Sequence, residues 1–347
     1  MSDEPRILII RPSALGDVCR SVPVLASLRR AYPHATIDWL VQDSFIDAIS
    51  AHPALNEAIP FPRKQLGRAM RRGNIPAVLA WLGALRHRRY DVVLDAQGLL
   101  RSGLIAWGTR AKTRVGYANA QEHAALFYTK KVDAPRERHA VDRMLMLVEA
   151  LDLTPHRDMQ LFTPLPDRRA VAEARGTDAP TPDRPDPIVL APTSRWPGKR
   201  WPIERFVELA RALLADSSRD ILIVGGPSER DQCAPLLDLA REEPRVHNLV
   251  GATSVGRLMG EIERSSLVIA CDSAPLHMAV GFGVPTIALF GPTDVSRVGP
   301  YQREHEVLQH LAPGDHYDHK DEPHGLAMMR RITSDEVIAR ARAALSL

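Results

Sequence analysis

The residues best suited to chemistry are concentrated in residues 271–294, which read CDSAPLHMAVGFGVPTIALFGPTD. Asp272 and Ser273 directly follow one short apolar run, and Gly291, Pro292 and Thr293 follow the next. Short apolar, β-branched runs bounded by turn residues are typical of parallel strands buried on both faces. Because ligands bind at the carboxyl ends of such strands, these polar residues predict a binding site at that edge of a sheet.

Loops after three other predicted strands carry groups that could act on a substrate or bind a phosphate. Asp17 could take a proton from a substrate hydroxyl, or it could simply cap the next helix. Thr193 and Ser194, with Lys199 six residues after Thr193, offer hydrogen bonds and a compact charge to a phosphate, although a glycine-proline loop could contain a lysine by chance. Glu229 could accept a hydrogen bond from a ribose hydroxyl or only favour a helix N-terminus.

Histidines and glycines give weaker signals. His277 is expected in the helix after Ser273, where a buried, hydrogen-bonded histidine is more common than a catalytic base. The spacing of His310, His316, His319 and His324 fits no zinc pattern, which favours a loop surface. Neither a GxGxxG fingerprint after the first strand nor a P-loop is present. We therefore expect no metal site and no cofactor.

A basic segment occupies residues 63–72. It contains Arg63, Lys64, Arg68, Arg71 and Arg72, of which the last four share one face of a helix. Such a face is either solvated or binds an anion, and the sequence leaves both possibilities open.

Strands and helices alternate along the chain, which predicts parallel α/β sheets. Prolines 180, 182, 185 and 187 mark a linker between two halves of similar size. We predict a first Rossmann-like domain at 1–165, a proline-rich linker at 166–187 and a second domain at 188–347, the two facing across a cleft. Thr333 and Glu336 form a capping-box pattern for a last helix.

Composition describes an ordinary globular protein. The 347 residues are 25% charged and 45% hydrophobic, with a formal net charge of +3 that does not indicate a nucleic-acid partner. Three widely spaced cysteines fit reduced thiols in the cytoplasm, and the N-terminus lacks the order of a signal peptide. No apolar run reaches the roughly 18 residues of a spanning helix, so any membrane contact would be peripheral.

Together these motifs resemble the ADP-heptose:lipopolysaccharide heptosyltransferases, glycosyltransferase family 9. The resemblance rests on residues 11–17 (RPSALGD), 95–98 (DAQG), 126–128 (LFY), 196–202 (WPGKRWP), 272–277 (DSAPLH) and 291–294 (GPTD). The DAQG element is most similar to the heptosyltransferase I branch. The family's pattern departs here at residues 121–122, where Arg often precedes the glutamate, and at residues 318–324, where many members carry cysteines.

The resemblance implies a GT-B fold and an inverting, metal-independent transfer of heptose from ADP-heptose to an acidic sugar acceptor, the Kdo of the lipopolysaccharide inner core. It implies an acceptor-binding domain first, a donor-binding domain second, and a C-terminal helix that packs back toward the N-terminal domain. It assigns Asp17 as the general base. The donor-binding residues would be Thr193, Ser194, Lys199, Glu229, Asp272, Ser273, His277, Gly291, Pro292 and Thr293. The acceptor-binding residues would be Ser13, Gly16, Arg63, Lys64, Gln97 and Gln121.

Two alternatives remain open at this point: another nucleotide-sugar enzyme of the same architecture, such as an epimerase, and a non-catalytic nucleotide-sugar-binding protein. An epimerase needs acid and base groups on the donor side, whereas Asp17 lies in the other predicted domain. A binding protein would tolerate loss of Asp17. The expected partners are a nucleotide sugar and an acidic glycolipid. The protein is expected to be a cytoplasmic monomer, with peripheral contact at the anionic cytoplasmic face of the inner membrane.

Overall fold

The short apolar runs that the sequence predicts as strands form two separate parallel sheets in a computed structural model, which describes residues 4–176 and 185–347. The chain divides into two compact units, Met1–Phe162 and Thr163–Leu347, with one six-stranded sheet in each. Each unit is described below by itself.

The first unit contains six strands and six helices. The strands are β1 (Arg6–Ile10), β2 (Thr36–Gln42), β3 (Glu57–Phe61), β4 (Val92–Asp95), β5 (Thr113–Tyr117) and β6 (Lys130–Val132). The helices are α1 (Leu15–Arg20), α2 (Val22–Ala31), α3 (Arg63–Arg71), α4 (Ile75–His87), α5 (Leu100–Gly108) and α6 (Ala140–Glu149). Short 3₁₀ turns occupy Asp43–Ala48 and Ala124–Phe127.

The strand order of this sheet is β3-β2-β1-β4-β5-β6, with every neighbouring pair parallel. Ile7 lies opposite Ile37 on one side and Val92 on the other, and all three side chains are buried. Parallel strands covered on both faces read as continuous apolar runs, which explains the sequence of β1. The direction of winding reverses between β1 and β4, the position at which doubly wound sheets bind ligands.

The second unit repeats this plan. Its strands are β7 (Ile188–Ala191), β8 (Ile221–Ile223), β9 (Val246–Asn248), β10 (Leu267–Cys271), β11 (Thr286–Leu289) and β12 (Val307–Leu308). Its helices are α7 (Leu165–Arg175), α8 (Ile203–Asp216), α9 (Ala234–Glu242), α10 (Val255–Glu263), α11 (Ala274–Phe282), α12 (Val295–Val298), α13 (Glu322–Met329) and α14 (Ser334–Leu345). The sheet order β12-β11-β10-β7-β8-β9 reverses between β7 and β10.

Two Rossmann-like domains in one chain confirm the predicted fold class. The first helical segment is divided at Ser21 into α1 and α2, and Pro23 falls in the first turn of α2. Among the described residues, no helix has the length and apolar character needed to cross a membrane.

The structure differs from the predicted linker. Residues 165–175 form helix α7 within the second unit, and a left-handed Gly176 (φ 70°) ends it. Prolines 180 and 182 lie outside the described residues.

The last helix belongs to the core of the second unit. Thr333 caps it as predicted, accepting from the backbone N–H of Glu336 at 3.3 Å. Val337, Ala341 and Leu345 are buried among the residues of the second core. The apolar face of α14 therefore packs within the second unit, and its packing toward the N-terminal domain stays a prediction.

Candidate functional site

Polar loops follow the strands at the winding reversal of each sheet. In the first unit the loops after β1 and β4 are joined, because the backbone N–H of Ser13 donates to Gln97 Oε1 at 3.2 Å. In the second unit the loops after β7 and β10 are joined by an ion pair between Lys199 Nζ and Asp272 Oδ2 at 2.6 Å. Each sheet thus holds its candidate site residues where doubly wound folds bind ligands.

Asp17 lies in the first turn of α1, three residues after the N-cap Ala14, and its side chain is 27% exposed. Arg11 Nη2 lies 2.8 Å from Asp17 Oδ2, and Arg20 pairs with the other carboxylate oxygen. The backbone N–H of Ala14 also donates to this carboxylate. Asp17 is therefore the centre of a charge cluster and does not occupy the N-cap position itself.

Burial raises the pKa of Asp17, but the guanidinium groups of Arg11 and Arg20 outweigh this effect and hold the pKa well below its usual range. The carboxylate is consequently ionised throughout the physiological pH range. It can accept a proton from a substrate hydroxyl as negative charge develops there. The sequence pattern identified Asp17 but gave no indication of its two arginine partners.

Asp95, the last residue of β4, is fully buried. Its carboxylate accepts from the hydroxyl of Tyr128 at 2.6 Å and from the backbone N–H groups of Gln97 and Gly98 at 2.9 and 3.1 Å. Burial raises the pKa of Asp95 despite these bonds. The aspartate therefore holds the 95–98 loop in shape, while Gln97 is the residue of that loop with a partly exposed side chain.

The basic segment forms α3, as the sequence indicated, and no residue of this helix is buried. An open cavity of about 990 Å³ lies beside it. Asp43 is the acidic residue of its lining, and the five cationic residues are Arg63, Lys64, Arg68, Arg71 and Arg101. Within the described residues, none of the five makes an ion pair with a carboxylate. This cavity, called the basic cavity below, suits an anionic ligand.

The basic cavity is linked to the loops at the winding reversal. A smaller cavity is lined by Ser13 and Gln97 together with Arg63 and Arg101, which also line the basic cavity. Four of the predicted acceptor residues, Ser13, Gln97, Arg63 and Lys64, thus border two cavities that share Arg63 and Arg101 in their linings. Arg101 was missed by the sequence reasoning, although its position three residues after the DAQG element could have indicated it.

The other two predicted acceptor residues make less direct contributions. Gln121 meets the 95–98 loop through its backbone N–H, which donates to the carbonyl of Gly98 at 2.9 Å, and its side chain is exposed. The neighbouring Glu122 accepts from the backbone N–H of Leu100 at 3.1 Å, at the start of α5. Gly16 lies beside Asp17 in α1.

In the second unit, Lys199 and Asp272 are mostly buried and neutralise each other. Lys199 ends a single 3₁₀ turn, Pro197–Lys199, in the loop after β7, and Asp272 directly follows β10. An ammonium group held in this position is suited to a phosphate, which would compete with the aspartate for it.

Thr193 and Glu229 connect the loops after β7 and β8. The hydroxyl of Thr193 donates to Glu229 Oε2 at 2.8 Å, and the backbone N–H of Gly226 donates to the same oxygen at 2.6 Å. Ser194, next to Thr193, is also buried. Glu229 therefore caps its 3₁₀ turn and braces Thr193, and its hydrogen bond to a ribose hydroxyl stays a prediction.

Two hydroxyls at this edge have no hydrogen-bond partner among the described residues. Ser273 occupies the N-cap of α11 as predicted, but its side chain does not cap the helix, and Ser273 Oγ is buried without a hydrogen bond in the described part of the chain. Thr293 Oγ1 is also buried without a hydrogen bond to any described residue. A buried hydroxyl without a partner is costly, so both are suited to hydrogen bonding with a ligand.

The histidines singled out in the sequence lie in two places. His277 is buried in α11, as expected. The rings of His316, before α13, and His324, in the first turn of α13, stack with centroids 4.1 Å apart, so His324 is helical and does not lie in a loop as expected. The ring of His319 meets Trp196 edge-on at 4.8 Å. The described residues contain no group of three or more metal-binding side chains.

Helix α13 packs directly on the 291–293 turn and on the loop at residues 197–199 that carries Lys199, called the lysine loop below. A Cβ atom added at Gly325 would lie 2.6 Å from the carbonyl oxygen of Gly198 and 2.8 Å from Pro292 Cγ. One added at Gly291 would lie 2.7 Å from Met329 Sδ. Only glycine fits at these contacts without movement of the surrounding atoms, and they fix the loop that carries Lys199.

Comparisons with known proteins agree with this geometry. Residues 78–323 match glycosyltransferase family 9 (heptosyltransferase). Lipopolysaccharide heptosyltransferase 1 of Pseudomonas aeruginosa is 31% identical over 320 residues, covering 86% of this chain and 82% of that protein. The enzyme of the same name from Escherichia coli O18:K1:H7 is 29% identical over 317 residues, covering 89% and 92%.

Solved structures are similar along nearly the whole chain. Escherichia coli heptosyltransferase WaaC with ADP has a TM-score of 0.76 at 27% identity, covering 98% of this chain and 99% of that one. The family 9 glycosyltransferase of Veillonella parvula has a TM-score of 0.81 at 25% identity, covering 99% and 98%. Sequence and fold together show that this chain is a glycosyltransferase and belongs to glycosyltransferase family 9, the heptosyltransferase family.

Proposed function

We propose that this enzyme transfers heptose from ADP-heptose to the Kdo of the lipopolysaccharide inner core, with inversion at the anomeric carbon and without a metal ion. The second unit would bind the donor and the first unit the acceptor. The observation that carries the proposal is the edge of the second sheet. Lys199 pairs there with Asp272, the neighbour of Ser273, and the buried hydroxyls of Ser273 and Thr293 have no partner among the described residues.

A nucleoside diphosphate fits this edge by charge and hydrogen bonding. Lys199 would bind a phosphate oxygen, and Ser273 and Thr293 would donate to the phosphates or the sugar. The N-terminus of α11 adds only about 0.3–1 kcal/mol for an anion, so the lysine would carry most of the charge of the departing ADP. In other transferases a metal ion stabilises the charge of the departing group, so a lysine in this role supports metal independence.

The basic cavity supports an acidic acceptor. Its five cationic side chains have no carboxylate partners within the described residues. An acidic acceptor would pair with these side chains, whereas a neutral sugar would not need them. Arg63 and Arg101 also line the cavity that contains Ser13 and Gln97, so an acceptor carboxylate bound there would bring its sugar toward the loops after β1 and β4. The relatives from Pseudomonas aeruginosa and Escherichia coli carry lipopolysaccharide heptosyltransferase names, which supports the same acceptor class.

Asp17 would act as the general base. In an inverting transfer the acceptor hydroxyl attacks the anomeric carbon opposite the departing ADP and must lose its proton as the new bond forms. Asp17 is an ionised, partly exposed carboxylate, whereas Asp95 is buried and already bonded to three donors. Because the arginines lower the basicity of Asp17, proton transfer would occur late, when the bonded hydroxyl has become acidic.

The proposed substrate and the thiols support a cytoplasmic location. Cys19, Cys233 and Cys271 are all buried and free, as expected for a reducing compartment such as the cytoplasm. We place the enzyme at the cytoplasmic face of the inner membrane, where a glycolipid acceptor would be reached.

The proposal is tested by mass detection of product. The purified enzyme is incubated with ADP-heptose, UDP-sugars or GDP-sugars and with a panel of acidic acceptors that includes Kdo linked to lipid A. We expect product only with ADP-heptose and the Kdo-bearing acceptor, in equal yield with EDTA, and an inverted anomeric linkage by NMR. Product from another donor, epimerised donor without acceptor product, or a loss of activity with EDTA would each contradict the proposal.

A further inference from the structure

Helix α4 is apolar along most of its length but is largely exposed. Among its 13 residues only Leu85 is buried, and no charged residue occurs before Arg86. Leu79 is 60% exposed, and Ile75 is also exposed. A helix of this composition normally lies in a core or at a membrane surface, so the exposed side of α4 requires an explanation.

The apolar surface continues onto α5. Leu100, Leu104 and Trp107 are exposed at helical spacings of four and three residues, which places them on one side of that helix. Leu79 and Trp107, the latter 57% exposed, line a groove of about 500 Å³ between the two helices. We call Ile75, Leu79, Leu104 and Trp107 the apolar face.

Three arginines line the same groove: Arg86, Arg110 and Arg114. In the described residues none of them forms an ion pair with a carboxylate, and Arg114 donates instead to backbone carbonyls. The sequence from residue 63 to residue 90 contains no aspartate or glutamate. The apolar face is therefore bordered by three arginines that have no carboxylate partner in the described part of the chain.

We propose that the apolar face and its arginines form a docking surface for an anionic phospholipid bilayer. Leucine and tryptophan side chains would enter the headgroup region, and the arginines would bind lipid phosphates. This surface involves neither donor nor acceptor, so the inference goes beyond the proposed transfer reaction.

Charge complementarity favours a bilayer over a second copy of this chain. A symmetric dimer through this surface would place the arginines of both copies against each other, which opposes association. An anionic bilayer satisfies both features of the surface, because its interior accepts the apolar side chains and its phosphates neutralise the guanidinium groups.

The test is vesicle flotation of the full-length protein. Vesicles contain equal parts of phosphatidylglycerol and phosphatidylethanolamine, or phosphatidylcholine alone. We expect wild-type protein to float with the anionic vesicles only, and less so at high salt. The double variants Leu79→Ser/Trp107→Ser and Arg86→Gln/Arg110→Gln should each lower the vesicle-bound to free ratio by at least about fivefold.

A matched control uses exposed apolar residues of the second unit. Leu311, 56% exposed, and Leu347 are both replaced by serine, and this variant should bind like wild type. Circular dichroism melts and transfer to a water-soluble, deacylated acceptor verify that every variant is folded. The single variant Leu79→Ser serves as a milder replacement if the double variant does not fold.

Three results would overturn the proposal. The first is unchanged flotation of the folded leucine and tryptophan variant. The second is equal binding of wild-type protein to phosphatidylcholine vesicles. The third is a concentration-dependent dimer in sedimentation velocity that the variant abolishes, since that would identify a second copy as the occupant. Because the vesicles carry no Kdo, a failure here is distinguishable from a failure of the proposed reaction.

Discussion

Replacing Asp17 with asparagine tests the proposed base most directly. Asparagine keeps the size of the side chain but removes its charge and basicity. We expect kcat to fall by about 10²–10⁴-fold with little change in either KM, because the loss is confined to the transition state. Initial rates at saturating donor and acceptor, measured by ADP release, provide the comparison.

The structure also predicts a stability cost, which the sequence alone did not. Asp17 pairs with both Arg11 and Arg20, and removing one partner of a fully buried ion pair costs about 3–5 kcal/mol. Because Asp17 is 27% exposed, we reduce this to about 1–3 kcal/mol. Each kcal/mol corresponds to a decrease of about 2–4 °C in Tm for a domain of this size.

The sign of the pH dependence follows from the lowered pKa of Asp17. A carboxyl group with a lower pKa in the folded state stabilises the fold above its unfolded pKa and loses that contribution as the pH falls. The stability difference between wild type and Asp17→Asn should therefore be full at pH 7 and shrink below about pH 4. Urea denaturation at several pH values measures it.

Arg11→Gln is the matched control, because it weakens the same cluster but keeps the carboxylate. We expect a comparable loss of stability with kcat within about tenfold of wild type, and a rise in the pKa of Asp17 that moves the acid limb of the kcat profile upward. The reasoning is refuted if Asp17→Asn turns over within a few-fold of wild type. It is also refuted if Arg11→Gln loses as much activity as Asp17→Asn.

Three further changes test other parts of the molecule. Lys199→Ala should weaken ADP binding by roughly 10- to 150-fold in calorimetry, because a charge-assisted hydrogen bond contributes about 1.5–3 kcal/mol. The affinity for adenosine should stay within about twofold. Equal losses for both ligands would show that Lys199 does not bind a phosphate. Replacing Arg63 and Lys64 with glutamine should raise the acceptor KM at least about tenfold without changing the donor KM. Unchanged acceptor kinetics at two salt concentrations would show that these residues only form a solvated surface. Gly116→Ala should destabilise the protein by about 1–3 kcal/mol in urea denaturation, because its Cβ would overlap the ring of Tyr128, and wild-type stability would contradict that overlap.

The fold was largely predictable because its signals are local. Parallel strands such as β1 and β10 are buried on both faces, so they appear as short continuous apolar runs. The polar residues that follow them necessarily lie at one edge of the sheet. The capping pattern at Thr333 was equally local and correct.

Helix α7 shows how composition can hide a pattern. Prolines and charges near residue 165 favoured a linker, yet Pro166 stands in the first helical turn and Gly176 just past the end. Both are common positions for these residues in helices. Val171 is buried, and a Cβ added at Gly260 of α10 would lie 2.8 Å from it, so this helix is part of the second unit.

The candidate site was less predictable than the fold, because its chemistry depends on side chains brought together from separate loops. The ion pair of Lys199 with Asp272 spans 73 residues, and Asp95 is reached by Tyr128 across 33. No local pattern indicates that Asp95 points into the core while Asp17 stays partly exposed. Arg101 likewise lines the basic cavity because the fold brings it there, and no local pattern indicates that position.

The close packing of α13 has a consequence for how the donor site responds to its ligand. Gly325 packs against the backbone of Gly198 in the lysine loop and against the ring of Pro292 in the 291–293 turn, so a shift of either would have to move this helix. The lysine should therefore be placed before ADP arrives, and little binding energy would be lost to ordering it. Residues 322–329 then act as a clamp, and Gly325→Ala, whose Cβ would lie 2.6 Å from the carbonyl oxygen of Gly198, should weaken donor binding in calorimetry although Gly325 is not one of the residues assigned to the donor.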